Sequence, residues 1–194
     1  NPNVKHVFSE NWWSKTVLSP DILTKLTLLP IGTESKISCS INKYAETVLM
    51  EESKNAVDVL NKPTKVLSNA HLNIHKTPKS GHYNQREEMY VELKNNKLID
   101  FWDTHRPTKQ TWKVHNNYAF ELSPTGNGLD CHRFYEAILL NTIPIVKDGP
   151  LTPLYKQFSC VIVKDWNEIT EDNLKRWQKE IKIDKVPIKF GYWK

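Results

Sequence analysis

The sequence predicts an α/β protein with a parallel β-sheet flanked by helices, and three observations support this prediction. Short apolar runs alternate with helical segments along the chain, without an internal repeat. Residues 120–146, FELSPTGNGLDCHRFYEAILLNTIPIV, are typical of a strand, a glycine-containing turn, an amphipathic helix and a second strand. A last helix has a clear start at Thr170. This alternation favours parallel pairing, because a parallel crossover needs a connection long enough to hold a helix.

The predicted strands are short apolar runs bounded by polar residues, proline or glycine. They are VKHVFSE at 4–10, LTLLPIG at 26–32, VLSNAHLNIH at 66–75, LIDFW at 98–102, the two strands that flank the central turn and helix, and CVIV at 160–163. Helices are predicted over 42–60 (apolar positions Tyr44, Val48, Val57 and Leu60), 85–93, 130–141 and beyond Thr170. Ile169 and Leu174 occupy the positions of a hydrophobic staple at the last helix.

The central strand–turn–helix–strand unit is Rossmann-like and is the part of the chain that indicates chemistry. Ser123 and Pro124 end its first strand, because proline has no N–H to donate to a ladder. We expect Gly126 and Gly128, on either side of Asn127, to adopt positive φ and to let a ligand approach bare backbone. Such a unit typically holds a phosphate group at the N-terminus of its helix.

The helix after this turn has two chemically different sides. At 100° per residue its apolar side carries Cys131, Phe134, Tyr135, Ile138 and Leu139. Asp130, Arg133 and Glu136 fall on the opposite side, which we expect to face the space above the turn. An arginine suits a diphosphate, and a glutamate one turn later suits ribose hydroxyls. The alternative is a solvated face whose charge pairs contribute a few tenths of a kcal/mol each.

Length and composition fit one globular domain spanning residues 1–194, with Lys62–Pro63 as the candidate boundary between two lobes. The chain is 39% hydrophobic and 25% charged, as in soluble proteins, and no apolar run approaches the roughly 20 residues of a membrane span. Three widely spaced cysteines and the lack of an Asn-x-Ser/Thr sequon favour a reducing, cytoplasmic location. The abrupt start of the chain suggests a piece of a longer protein.

The formal net charge of +5 comes from scattered lysines rather than from a basic stripe. A nucleic-acid-binding module stays an alternative, but the sequence carries no homeodomain, zinc-finger or RNP pattern, so we expect no nucleic-acid partner. A mild positive field also attracts an anionic small-molecule substrate. That second explanation agrees with the phosphate-binding unit.

Metal binding and covalent catalysis lack a convincing motif. His71 and His75 fall in a predicted strand, where a spacing of four residues spans about 13 Å, too far to share one ion. The sequence holds neither an Asp-x-Asp pair nor a P-loop lysine, so we expect no metal and no cofactor. Cys131 precedes His132, but the two side chains point about 100° apart on a helix.

A dinucleotide-binding oxidoreductase is the rival interpretation of the glycine turn. Gly126-x-Gly128 opens a helix after a strand, and Asp148 ends the next strand roughly 20 residues later, where a ribose-binding acid is expected. The third fingerprint position, however, is Cys131 rather than glycine or alanine. The unit also lies two-thirds along the chain, which leaves few residues for the rest of an NAD-binding fold.

The stretch from Phe120 to Thr170 resembles the C-terminal signature of exostosin-like glycosyltransferases, in particular the short forms carried by large DNA viruses and some microbes. The matching pieces are SPTGNGLDCHR, the pair Glu136–Ala137, the IPIV strand, PLY at 153–155 and VKDW before an acidic helix start. Upstream, VKHVFSEN and KLTLLPIG resemble two further segments of that group. The resemblance therefore covers most of the chain, least clearly residues 41–98.

The resemblance implies a transferase of the GT-B type whose C-terminal Rossmann-like lobe holds a nucleotide sugar, which we expect to be UDP-linked. The sugar would be a hexose or pentose, transferred without a metal and with inversion to a glycan or glycoconjugate acceptor. The Gly126–Asn127–Gly128 turn and the helix N-terminus would form the diphosphate cradle, and Ser123 and Asp130 would be further substrate-binding residues. Arg133 would be the counter-charge, Glu136 would bind the ribose, and Arg86 would be a further phosphate ligand.

The chain departs from that family in the size of its N-terminal lobe, which is reduced or missing, and virus-encoded forms would act in the host cytoplasm. Inversion requires a general base for the acceptor hydroxyl. Glu10, Asp103 and His105 are available, but each also suits a surface or turn position, so we assign no catalytic residue. A non-catalytic nucleotide- or glycan-binding module with the same fold stays an alternative.

Overall fold

The computed structural model describes residues 3–11, 20–33, 45–70, 85–102, 108–126 and 128–188. Within these ranges the protein is α/β, with a five-stranded parallel sheet flanked by helices in a Rossmann-like arrangement. Two further strands pair in parallel as a separate small sheet near the N-terminus. The predicted fold class is confirmed.

The strands are β1 Val7–Ser9, β2 Leu26–Leu28, β3 Val66–Ser68, β4 Ile99–Phe101, β5 Phe120–Leu122, β6 Ile143–Lys147 and β7 Val161–Val163. The α-helices are α1 Pro20–Leu23, α2 Ala45–Lys54, α3 Gln85–Leu93, α4 Thr108–Val114, α5 His132–Leu139, α6 Thr152–Tyr155 and α7 Glu171–Glu180. Short 3₁₀ turns lie at Val59–Asn61, His115–Asn117, Trp166–Glu168 and Val186–Ile188. Among the described helices, none is long and apolar enough to cross a membrane.

The order of strands in the main sheet is β4-β3-β5-β6-β7, and every neighbouring pair is parallel. From β3 the chain first adds β4 on one side and then returns to add β5 on the other side. The connections therefore reverse direction between β3 and β5. In open α/β sheets ligands bind at such a switch point, outside the carboxyl ends of the strands.

Helices cover both faces of the main sheet, because strand side chains alternate between the faces. On one face, sheet residues such as Phe120 and Ile143 form a core with Met89 of α3 and with Leu174 and Trp177 of α7. On the other face, Phe134 and its neighbours in α5 pack with residues of α6 and with Val146. The helices α3 and α5 therefore begin above the same edge of the sheet, on opposite faces.

Several predicted elements are confirmed closely. The helix predicted over 85–93 is α3, and each predicted strand contains an observed one. Thr170 caps α7, where its hydroxyl accepts a hydrogen bond from the Asn173 amide. Both staple residues, Ile169 and Leu174, are buried.

Two predicted helices are shorter than expected. The helix predicted over 42–60 ends at Lys54, and Val57 and Leu60 are 38% and 61% exposed. The Asp58 carboxylate accepts from the Leu60 amide and starts a separate 3₁₀ turn, a local bond that competes with helix continuation. Tyr44, also predicted in this helix, lies outside the described residues.

The helix predicted over 130–141 spans only His132–Leu139. Its C-terminal end is fixed by Asn141, whose φ of 54° is left-handed and stops the helix. The strand predicted to reach residue 75 ends at Ser68, and residues 71–84 lie outside the described part of the chain. The sequence did not predict α4, whose Trp112 packs with Leu49 of α2 and Leu140, nor the following 3₁₀ turn, whose His115 contacts Glu121 of β5.

Candidate functional site

The candidate site lies at the carboxyl ends of β3 and β5, where the topology of the sheet reverses. Two segments leave the sheet there: residues 123–128 follow β5, and Asn69 follows β3. Arg86 comes to this edge from the first turn of α3, and Arg133 comes from the first turn of α5. The fold thus brings together four of the sequence positions predicted to form the site, Arg86, Ser123, Gly126 and Arg133.

The two glycines of the turn allow neighbouring side chains to approach the backbone closely, and they are not needed for a positive φ. This corrects the prediction. Neither Gly126 nor Gly128 adopts a positive φ. A Cβ atom on Gly126 would lie 2.5 Å from Arg86 Nη2, and one on Gly128 would lie 2.5 Å from Asn11 Oδ1. Side chains from α3 and from the segment after β1 therefore occupy the space that the two glycines leave open.

Arg86 is fixed against the turn by its neighbours. Its Nε donates to the Thr125 carbonyl at 2.8 Å, and the Thr125 amide donates to Gln85 Oε1 at 2.7 Å. Burial and the nearby charge of Arg133 lower the pKa of the Arg86 guanidinium, while Cys131 opposes this shift. Two guanidinium groups are thus held near each other in a partly desolvated place, an arrangement that an anion would stabilise.

Arg133 faces the same edge from the second face of the sheet. Its Nε donates to Asn69 Oδ1 at 2.7 Å and lies 3.7 Å from Glu121 Oε1. The side chain is only 16% exposed, and its buried Nη1 atom has no hydrogen-bond partner. Because a buried guanidinium N–H rarely stays unpaired, this atom marks a place for a polar ligand or for water.

Further unpaired polar atoms surround this arginine. Five buried side-chain atoms among the described residues lack a hydrogen-bond partner, and four of them belong to Ser68, Glu121, Ser123 and Arg133. Ser68 ends β3, and Ser123 directly follows β5. Unsatisfied buried polar groups are costly, so their concentration at the switch point indicates a site built to receive hydrogen-bonding atoms.

Asp130 does not face this site, which corrects its predicted orientation. The carboxylate is buried and accepts hydrogen bonds from the Tyr135 hydroxyl at 2.5 Å and the Ile31 amide at 3.0 Å. It also accepts from the Cys131 amide and from the Tyr155 hydroxyl. Burial raises the pKa of this carboxyl, and those hydrogen bonds oppose the rise. Helical periodicity did not apply to Asp130, because α5 begins only at His132.

Glu136 lies on α5 one turn beyond Arg133, and its side chain contacts Trp112 of α4. Its Oε2 atom accepts a hydrogen bond from Trp112 Nε1 at 3.1 Å, and the residue is half-buried. A ribose-binding role for Glu136 stays a prediction. Trp112 was missed because nothing in the sequence marked α4 as part of the site.

Some predicted positions cannot be placed. Asn127, Asp103, His105, His71 and His75 lie outside the described residues. Glu10 is exposed beside Asn11, at the end of β1. Among the described residues, no three His, Cys, Asp or Glu side chains are grouped as metal ligands would be.

The small β1–β2 sheet closes over the start of α5. Asn11, with a left-handed φ of 49°, accepts a hydrogen bond from the Asp130 amide at 2.6 Å through Oδ1. Following β2, the Gly32 carbonyl lies 2.7 Å from His132 Nδ1. Together with the Ile31–Asp130 bond, these contacts attach the N-terminal segment to the glycine turn. No local pattern in the sequence predicts this connection.

A cavity of about 140 Å³ adjoins the turn on the side of β6. Its lining includes Gln85, Thr125, Lys147 and Asp148. The Asp148 carboxylate, the ribose ligand of the dinucleotide interpretation, accepts a hydrogen bond from the Thr152 hydroxyl at 2.5 Å. Lys147 Nζ lies 3.7 Å from Glu88 Oε2. The cavity thus places charged groups of both signs next to Thr125, whose carbonyl holds Arg86.

The site as a whole can hold an anion with several oxygen atoms, using two guanidinium groups and the unpaired hydroxyls of Ser68 and Ser123. No protein-family model matches this chain, and no curated protein matches it significantly. The functional assignment therefore rests on the geometry of the site and on the residues that form it.

Proposed function

We propose that this chain is an exostosin-like glycosyltransferase that takes a hexose or pentose from a nucleoside-diphosphate sugar, expected to be UDP-linked, to a glycan or glycoconjugate acceptor. One observation carries the proposal: two arginines from helices on opposite faces of the sheet lie at the switch point, Arg86 against Gly126 and Arg133 against Asn69. This is the place and the charge that a diphosphate requires.

The two arginines supply the chemistry that such a transfer needs most. As the bond from the anomeric carbon to the diphosphate breaks, negative charge grows on the leaving oxygen. Fixed cations aimed at that charge stabilise the transition state without a metal, and they act more strongly where water is partly excluded. Arg133 Nη1 is buried and unpaired, so it has a donor free for this task.

Other groups at the site have supporting roles in the proposal. The buried hydroxyl of Ser123 has no partner and lies beside the turn, where it is available to a phosphate oxygen. Glu136 would bind the ribose hydroxyls, in exchange for or together with its bond to Trp112. We assign no general base, so inversion is part of the proposal only through the family resemblance.

A ligand panel followed by a transfer assay tests the proposal. Thermal unfolding is followed with UDP, GDP, CMP and NAD, each with and without EDTA. A ligand present at 100 times its Kd should add about 2.7 kcal/mol to the free energy of unfolding. We expect stabilisation by UDP that EDTA leaves unchanged, and release of UDP from one or more UDP-sugars.

The other outcomes separate the alternatives. UDP binding without turnover on any sugar donor indicates a non-catalytic module. Stabilisation by NAD alone, lost in Asp148→Asn, supports the oxidoreductase. The panel is repeated with Arg133→Gln, which removes one of the two site cations. Arg176→Gln is its charge-matched control, because Arg176 is an exposed arginine on α7, far along the chain from the turn.

A further inference from the structure

The cavity beside the turn lies on the opposite side of β5 from the residues proposed to bind the nucleoside. Arg133 contacts Asn69, which follows β3, and Glu136 lies one turn further along the same helix. The cavity is lined instead by Thr125 and by residues 147–151, which follow β6. Since β3 and β6 flank β5 on opposite sides, a ligand with its phosphates at the turn and its ribose at Glu136 extends at its other end towards the cavity.

Two residues connect the cavity to the phosphate end of the site. Thr125 and Gln85 both line the cavity, and the Thr125 amide donates to Gln85 Oε1 at 2.7 Å. The Thr125 carbonyl accepts from Arg86 Nε at 2.8 Å. Because a single residue separates this guanidinium from the cavity, a group bonded to a phosphate at Arg86 meets the cavity next.

The size and the lining of the cavity suit one sugar ring. Its volume is about 140 Å³, and a cavity of roughly 150 Å³ holds one six-membered ring such as benzene. The buried residues Leu129, Leu151 and Tyr155 supply apolar wall atoms, and Lys147 and Asp148 supply charged groups. A sugar ring has the same two characters, with C–H bonds on its faces and hydroxyls at its edge. Asp148 is exposed, so ring substituents can extend past it into solvent.

The charges at the cavity disfavour an acidic sugar. The Asp148 carboxylate accepts from the Thr152 hydroxyl, a bond that orients it and uses one of its several acceptor positions. Lys147 Nζ lies 3.7 Å from Glu88 Oε2, so its charge is already partly balanced. Two carboxylates and one ammonium leave one negative charge in excess, while the charge of Arg86 serves the phosphate. Such a surface repels a second anion and accepts hydrogen bonds from hydroxyls.

We propose that this cavity is the subsite for the transferred sugar, that it takes one neutral monosaccharide ring, and that Asp148 binds the hydroxyls of that ring. The inference rests on the proposed function and names the class of sugar within it. A uronic acid would bring its own carboxylate against Asp148 and Glu88, so the subsite discriminates against it.

The test separates the sugar from the nucleotide. The Kd values of UDP, UDP-glucose, UDP-galactose, UDP-xylose and UDP-glucuronic acid are measured by calorimetry in EDTA for the wild-type chain and for Asp148→Asn. Asp172→Asn is the matched control, because Asp172 is exposed on α7. Asparagine keeps an oxygen acceptor for Thr152 and loses only the charge.

We expect Asp148→Asn to weaken the tightest-binding neutral UDP-sugar about tenfold and to leave UDP unchanged, because only the sugar reaches the carboxylate. In the wild-type chain UDP-glucuronic acid should bind about tenfold more weakly than UDP-glucose. Asp148→Asn should narrow that difference, since one of the two repelling charges is gone. The control should reproduce every wild-type value.

Three results would overturn the inference while UDP still binds and the proposed function stands. An equal loss for UDP and for the UDP-sugars in Asp148→Asn would assign the cavity to the nucleotide. Identical Kd values in Asp148→Asn and the wild type would remove the cavity from the site. Tightest binding of UDP-glucuronic acid would contradict a neutral sugar. A wild-type chain that binds neither UDP nor any UDP-sugar would refute the proposed function, and the inference with it.

Discussion

Arg86 Nη2 lies 2.5 Å from the point that a Cβ atom of Gly126 would occupy. The arginine at the start of α3 thus fills the space beside a glycine that lies five residues before Cys131, the N-cap of α5. Any larger residue at position 126 must displace the guanidinium. This contact couples the conformation of the turn to the position of one of the two cations of the site.

Gly126→Ala should weaken UDP binding about tenfold while it changes the free energy of unfolding by less than about 1 kcal/mol. The closest clash is with Nη2 at the end of the Arg86 side chain, and the next is with Cys131 Sγ at 3.1 Å, so side chains rather than backbone must shift and the fold stays intact. Calorimetric titration and urea melts of the same samples measure the two effects. Gly149→Ala is the matched control, because its Cβ would meet nothing within 4 Å. Unchanged affinity in Gly126→Ala would remove Arg86 from the site.

Asn11→Gly should lower the free energy of unfolding by about 1–3 kcal/mol, since it leaves the part-buried Asp130 amide without its acceptor. Glycine retains the left-handed φ of 49°, so backbone strain does not contribute. Gly128→Ala should be destabilising in the wild-type chain but much less so in Asn11→Gly, because the clashing Oδ1 atom is gone. Additive effects in urea melts of the double variant would show that the two residues do not interact.

Lys62 makes stability depend on pH between neutrality and pH 10.5. Its pKa falls from 10.5 to about 7 on folding, mainly through burial, and its Nζ donates to the Leu140 carbonyl and the Thr142 hydroxyl. Between those two values the unfolded chain binds more protons, so stability should rise with pH through this window and be lowest below pH 7. The full difference is on the order of 5 kcal/mol.

Lys62→Met should flatten that pH dependence, because methionine cannot be protonated. The measurement is the free energy of unfolding of both proteins at several values from pH 6 to 10, and the readout is the slope rather than the absolute stability. Loss of two hydrogen bonds shifts the variant equally at every pH. Parallel curves for the two proteins would mean that Lys62 stays charged in the folded state.

Glu136→Gln should weaken UDP binding about tenfold but leave the binding of 2′,3′-dideoxy-UDP unchanged. Glutamine keeps an oxygen acceptor for Trp112, so the bond to α4 survives and only the charge is lost. If Glu136 binds the ribose hydroxyls, a ligand without them cannot sense the substitution. Equal losses for both ligands would assign Glu136 to the support of α4 instead.

The parts of the fold that the sequence predicted are those with strong local patterns. The apolar runs of β5, β6 and β7 are bounded by turn residues, and α7 carries its cap and staple within six residues of each other. The helix α4 was missed because its only buried apolar residue among those whose side chains are described is Trp112, too little for a helical period. Helix ends were wrong where a local side-chain bond, such as that of Asp58, competed with the helix.

The candidate site was only partly predictable, because it is assembled across the chain. Arg133 and the glycines were found in one continuous motif, but Asn11, Asn69 and Gln85 reach the site through the topology of the sheet. The orientation of Asp130 was predicted wrongly. Its spacing of three residues from Arg133 suggested one side of a helix, but α5 starts only at His132, after Asp130. The partner of Arg133, Glu121, sits inside a strand that was interpreted only as an apolar run.

The most direct test of the central claim is the affinity of UDP for the wild-type chain and for Arg86→Gln, Arg133→Gln and Arg176→Gln, measured by calorimetry in EDTA. We predict that the wild-type chain binds UDP without a metal and that each of the first two variants weakens binding about 10- to 100-fold. Arg176→Gln, on the exposed face of α7, should match the wild type. Wild-type affinity in both site variants, with their folds intact, would contradict the assignment of this edge of the sheet as the diphosphate site.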